Sequence, residues 1–300
     1  MRVALLVLYN HRYTNNINTI KRIYEGRFQH VFQLIPFYEG NDPSVISVYG
    51  SSFYFHSFIA QAYQHLKGKG FTHYFIVADD MVINPKINEL NFLKMIGLSE
   101  DDAYISNLQP IHTAPGRMPW LDNVLKHKIK QPGLEIEQIL PTKEEAESRF
   151  RSHGIPVGAI PIRCFFKFYK LVWWKSLYFF IKQLPLIFKR NLDYPVLKAY
   201  SDILIVPASY MDKFATYCGA FSASCLFVEY AIPTSLLLVV DSSHIKTDND
   251  VILKYGAIWS KPEHQALEDS YSLNINELIE RYPSDKLFIH PIKLSRWKFV

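Results

Sequence analysis

Neither G-x-G-x-x-G nor G-x-x-x-x-G-K-[ST] occurs in the 300 residues. The absence of those backbone cradles for phosphate argues against a dinucleotide-binding dehydrogenase and a P-loop enzyme. Cysteine is scarce as well. Cys164, Cys218 and Cys225 form an odd set with no C-x-x-C spacing, which argues against a disulfide framework or a zinc site and for a reducing compartment. The first residues run straight into an apolar stretch, without the basic leader, apolar core and small-residue cleavage site of a secretory signal. The expectation is a cytoplasmic protein.

Acid is missing from one region altogether. Between Ser148 and Leu192 there is no Asp or Glu, while nine of the 33 Lys and Arg residues fall there. The rest of the chain, with 24 basic against 28 acidic residues, is mildly acidic, so the net charge of +5 belongs to this segment. That is a local surface property, not the composition of a general nucleic-acid binder. On a helical wheel Arg163, Lys167, Lys170, Lys175 and Lys182 share one side. Phe166, Tyr169, Trp173, Leu177, Phe180 and Leu184 share the other. Its longest uncharged run is six residues, too short to span a bilayer. Residues 163–190 therefore read as a helix lying in an anionic membrane interface, ended or kinked at Pro185. The alternatives are a core helix whose lysine stems lie along apolar surface and, more remotely, a stacking groove for nucleic acid.

What remains is the pattern of an α/β domain, in a chain 49% hydrophobic and 15% aromatic. Strands are predicted at 2–8, 31–36, 45–48, 74–77 and 103–108, with helices following the first strand to about Tyr24 and over Ser51–Leu66. Residues 113–135 read as a Pro- and Gly-punctuated loop. Thr142–His153 reads as a polar helix, with Thr142 and Glu145 in a capping box. Phe214–Val240 holds one charged residue, Glu229. The break at Pro233-Thr234 divides it into two buried elements, the second a strand at 236–240, and places Glu229 in deep apolar surroundings. A strand-like run also opens at Asp202. Beyond Asp250 the chain reads as a charged, helix-rich cap with no catalytic grouping.

The stretch that organises the chain is Tyr74–Pro85, Y-F-I-V-A-D-D-M-V-I-N-P. An apolar buried strand stops abruptly at Asp79-Asp80. Paired carboxylates in such a place are costly unless compensated, and a divalent cation is a common compensation. The plain alternative is a solvated strand-end turn.

This stretch resembles the metal-binding strand of GT-A nucleotide-sugar glycosyltransferases, in which an apolar run leads into two or three aspartates and then to Asn or Pro. The likeness extends loosely over residues 1–112 as alternating strands and helices. It departs from the family at Ala78, which stands at the first aspartate position. The resemblance implies a GT-A-like (Rossmann-related) mixed sheet flanked by helices, in one catalytic domain. Within it residues 1–112 form the nucleotide-sugar-binding half, 113–250 the acceptor half with the membrane-interface segment at 157–192, and 251–300 a cap.

By the same resemblance Asp80 is the ligand of a Mn²⁺ or Mg²⁺ ion, and Asp79 faces the ribose or the sugar. Tyr9, Asn10 and Arg12 are candidates for the nucleotide base and ribose, or else only cap the following helix. Glu229 is the candidate general base of an inverting reaction, with Asp202 as second choice, against a purely structural ion-paired role for Glu229. His244 is the candidate to complete the metal shell, with Asp241 as alternative and His112 and His290 also open. The implied partners are a nucleotide-sugar donor, a UDP-sugar, and a lipid-linked or surface-polysaccharide acceptor. No nucleic acid is expected, and the implied location is peripheral, on the inner face of the cell membrane. Two other readings stay open: a non-catalytic membrane-associated scaffold on the same fold, and a nucleotidyl or phosphoryl transferase.

Overall fold

A computed structural model describes residues 1–114, 118–165, 177–178, 181, 184–185, 187–188 and 190–300. The expected helix over 163–190 falls mostly outside the described residues, as do Phe166, Lys167, Tyr169, Lys170, Trp173, Lys175, Phe180 and Lys182.

The chain opens with β1 (Val3–Leu8), α1 (Ile17–Tyr24), β2 (His30–Pro36) and β3 (Val45–Val48). It continues through α2 (His56–Leu66), β4 (His73–Ala78), β5 (Val82–Ile83), α3 (Phe92–Ile96) and β6 (Ala103–Gln109). Then come α4 (Leu121–Lys126), α5 (Lys143–Ser152), β7 (Lys198–Pro207), α6 (Ala208–Ala223) and α7 (Val228–Val239). The last elements are β8 (Ile245–Lys246), α8 (Lys261–Tyr271), α9 (Ile275–Glu280) and β9 (Phe288–Ile289).

Seven strands form one mixed, mostly parallel sheet in the order β3-β2-β1-β4-β7-β6-β8, with helices on both faces, an arrangement compatible with a Rossmann-like fold. β1 and β4 are buried at every position, which is why they read as unbroken apolar runs instead of alternating ones. One face is covered by α2, α6 and α7, the other by α1, α3 and the C-terminal elements. β1, β2, β3 and β4 run parallel. From β1 the chain goes to β2 and β3 on one side, then returns to place β4 on the other. The strand order therefore reverses between β1 and β4, and their carboxyl ends border a crevice of the kind in which α/β sheets bind ligands.

β7 enters antiparallel between β4 and β6. Against β6 its register jumps, from Ile105 opposite Leu204 to Ser106 opposite Tyr200. Ser201, Asp202 and Ile203 thus bulge out of that ladder while Ile203 still pairs with Val77 of β4. Such bulges bend a strand and re-aim its side chains. One register step beyond Ile203–Val77, Asp202 comes level with the end of β4.

Three expectations are corrected. Residues 113–135 include a short helix, α4. The 236–240 run is the end of α7, because a continuous apolar stretch carries no period to distinguish helix from strand; Pro233 lies inside that helix instead of dividing it. Asp202 lies within β7 and does not open it. The capping box on α5 is present in both directions, Thr142 Oγ1 accepting from Glu145 N–H and Glu145 accepting from Thr142 N–H. Among the described residues no helix is long and apolar enough to cross a membrane.

Candidate active site

At the carboxyl end of β4, Asp79 is 4% exposed and its Oδ1 lies 3.4 Å from the backbone N–H of Asn10, in the loop after β1. Burial, and next the charge of Asp80, push the Asp79 carboxyl up to about 8. This is the behaviour of an acid held out of water beside another acid. Asp80 is fixed through its backbone, its carbonyl accepting the Ile292 N–H at 2.6 Å.

The C-terminal segment brings in a histidine that sequence spacing left unplaced. β5 follows the acidic pair at once and pairs with β9, Val82 opposite Ile289, so His290 falls beside Asp80. Its Nε2 lies 2.8 Å from Asp80 Oδ1, though without the alignment of a good hydrogen bond. The Tyr200 hydroxyl, from β7, meets Nδ1 on the other side of the ring. A close backbone approach makes this possible: a Cβ at Gly256 would lie 1.5 Å from the Phe288 carbonyl oxygen. The bare glycine lets residues 254–258 bond to this segment, with Ile258 N–H donating to the His290 carbonyl at 2.7 Å. Burial pulls His290 down, but the adjoining Asp80 and the charges of Asp202 and Asp79 pull harder, and its pKa is raised.

Asp202 keeps some contact with solvent, yet the strands around it strip enough water to push its carboxyl up to about 6. Asp80 and Glu229 add to the rise, and His290 opposes it. Glu229 stands in the first turn of α7, with Lys198 Nζ 3.0 Å from its Oε2. The turn is set by α4: Asn123 accepts the Phe227 N–H at 2.7 Å and donates to the Cys225 carbonyl at 3.0 Å. The expectation of deep apolar surroundings is corrected here. Glu229 is half-buried and paired with a lysine, because α7 presents its first turn to a cleft and buries the turns that follow. That cleft, of about 270 Å3, is lined by Asn10, Asp202 and Glu229 together with Ser201, Phe53 and Phe227.

The structure thus brings Asn10, Asp202 and Glu229 to one cleft, sets Asp79, Asp80 and His290 together at the end of β4, and leaves the other candidates elsewhere. Tyr9 is wholly buried in the core and donates its hydroxyl to Gln33 at 2.5 Å, because it still has the inward orientation of a β1 residue. Arg12 points outward and pairs with Glu39 at 2.7 Å. His244 contacts Asp102 at 3.2 Å, beside the start of β6. β6 runs parallel to β4, so His244 is at the opposite end of the sheet from Asp80 and cannot share an ion with it. Asp241 pairs with Arg149 at 2.7 Å, and His112 contacts the Gly158 carbonyl at 3.1 Å. The C-terminal region, expected to hold no catalytic grouping although His290 was left open, brings His290 to Asp80. Tyr200 and Lys198 were missed too. Their only signal was a place two and four residues before Asp202, one alternate step apart on the same strand.

Among the described residues no group of three or more His, Cys, Asp or Glu side chains is arranged to hold a metal ion. The donor set does fit a cation that takes a single carboxylate oxygen from the chain and the rest from phosphate and water, the usual habit of Mg²⁺. Asp80 Oδ1 is buried without an aligned hydrogen-bond donor. No protein-family model matches the chain, and no curated protein matches it.

Proposed function

We propose that the chain is a glycosyltransferase that moves a sugar from a nucleotide-sugar, a UDP-sugar, to a lipid-linked or surface-polysaccharide acceptor at the cytoplasmic face of a membrane. The observation that carries this reading is the convergence of carboxylates from three separate elements. Asp202 bulges from β7 and Glu229 opens α7, both lining the cleft, while Asp79 and Asp80 follow β4, Asp79 facing the backbone of Asn10, which lines the same cleft.

In this reading Glu229 takes the proton of the acceptor hydroxyl, and Lys198 orients its carboxylate. The acceptor oxygen then forms its bond to the anomeric carbon while the bond from that carbon to the diphosphate oxygen breaks. The electron pair departs with the nucleoside diphosphate, and the anomeric configuration inverts. Asp79 and Asn10 contact the ribose or the sugar. His290, held between Tyr200 and Asp80, places the Asp80 carboxylate. Mn²⁺ or Mg²⁺ held by Asp80 would supply charge neutralisation on the leaving diphosphate.

The test is incubation with a panel of nucleotide-sugars and Mn²⁺. One donor is expected to be hydrolysed slowly with release of nucleoside diphosphate, and calorimetry should show UDP binding that Asp80→Ala abolishes. Release of pyrophosphate would point instead to a nucleotidyl transferase. The scaffold reading draws on Ala78, which removes one carboxylate from the strand end; it predicts neither binding nor hydrolysis, and that result would sink the enzyme.

A further inference from the structure

Above the cleft three aromatic rings from distant parts of the chain come together. Phe53 lies in the turn before α2, Trp120 just before α4, and Phe227 just before α7. Their ring centroids are 5.1 Å apart for Phe53 and Trp120, 4.7 Å for Trp120 and Phe227, and 5.9 Å for Phe53 and Phe227. Phe53 is 44% exposed and Trp120 48% exposed. Single exposed aromatics need no explanation, but a contiguous patch at the mouth of a cleft marks a binding surface.

The patch is held in place at some cost to the backbone. Trp120 has φ of 58°, a left-handed conformation that residues other than glycine seldom take. It is pinned on both sides: Tyr230 donates its hydroxyl to the Pro119 carbonyl at 2.7 Å, and Asn123 ties α4 to the turn before α7. Strained residues held by their surroundings gather at ligand clamps.

We propose that these rings form a pyranose subsite, with the sugar's C–H face on Phe53, which Trp120 supports edge-on at 76°, and its hydroxyls reaching Glu229, Asp202 and Ser201. This rests on the transferase reading for its role, as the seat of the acceptor sugar next to Glu229. Three features select a sugar ring. The negative face of an aromatic ring attracts the weakly positive C–H bonds that a pyranose presents on one side. The opposite wall offers hydroxyl and carboxylate groups, the partners of a polyhydroxylated edge. Asp202 and Glu229, the latter offset by Lys198, leave this wall net negative, which favours an uncharged ligand over a phosphate. The hollow of about 270 Å3 lies just under the span typical of larger ligands, roughly 300–1,000 Å3, which suits a single ring.

The experiment is titration of the whole chain with methyl pyranosides and short oligosaccharides, followed by tryptophan fluorescence and calorimetry, with uridine and adenosine as the other arm. Trp120→Gly removes the ring while suiting the left-handed backbone, and Phe53→Ala removes a surface ring, so both variants should melt as the wild type does. The expected result is saturable binding of at least one glycoside, weakened tenfold or more in each variant. No glycoside binding by the wild type, equal binding by the variants, or a nucleoside competing for the same rings would each overturn the subsite. Sugar binding at the rings without donor hydrolysis would uphold the subsite and remove the transferase. Donor hydrolysis without sugar binding would do the reverse.

Discussion

Two buried histidines outside the cleft make the protein sensitive to acid. His56, in α2, is fully enclosed; burial drives its pKa down to about 3, against a weaker pull from the Phe221 carbonyl. His127, after α4, contacts Ser224 Oγ at 2.8 Å, and burial holds it at about 4. Both stay neutral in the folded chain while an unfolded histidine charges near 6.5, so the unfolded state binds more protons below that value. Their stabilising effect is complete above about pH 6.5 and is lost as pH falls toward 4 and then 3. At pH 5 each forfeits about 2 kcal/mol relative to neutral pH. Urea denaturation at pH 7.5 and pH 5 should show the loss, and His56→Gln with His127→Gln should flatten it. An equal drop in that double variant would mean that other groups carry the acid sensitivity. Asp79 shows the same physics with opposite sign, burial lifting an acid instead of lowering a base.

Elements differed in how far the sequence disclosed them, according to how local their causes are. The capping box on α5 was legible because both partners lie within three residues of each other. Replacing Thr142 with Ala should cost about 1 kcal/mol in chemical denaturation, with donor hydrolysis untouched, since α5 is remote from Asp80; a loss below a few tenths would mean the cap is idle. β1 and β4 were legible as buried strands for a similar reason, each an apolar run bounded by polar residues. α7 was misread in part because Leu236–Val240 offers no period. The bulge in β7 left no trace at all, since it exists only as a mismatch between two partner strands. The carboxylates were therefore visible one by one, at Asp79, Asp80, Asp202 and Glu229, while their convergence followed only from the family resemblance and not from local pattern.

At the scale of the molecule the least legible step was the return of the C-terminal segment. His290 lies 210 residues beyond Asp80 and reaches it through pairs only two residues long, β5 with β9, reinforced by Ile292 and by the burial of Phe288 and Trp297. Nothing in local pattern announces such a contact, whereas His244, conspicuous at the end of an apolar run, sits at the opposite end of the sheet. The proposed membrane association would be a property of the whole surface. Leu177, Tyr178, Ile181 and Phe188 are all exposed, with Lys182 among them and Lys175 and Lys189 at either end in sequence. Changing Lys167, Lys170 and Lys175 to Glu should release the protein from anionic vesicles in a sedimentation assay, each lost charge being worth roughly 1 kcal/mol; unchanged sedimentation would refute an interfacial role.

Because β7 is a central strand, the acid it carries toward the crevice belongs to the sheet itself and not to a connecting loop. Grafting new loops around the rim could therefore retune which molecule is held while leaving Asp202 where it stands. A protein engineer would have freedom in choosing the guest and almost none in moving this anchor.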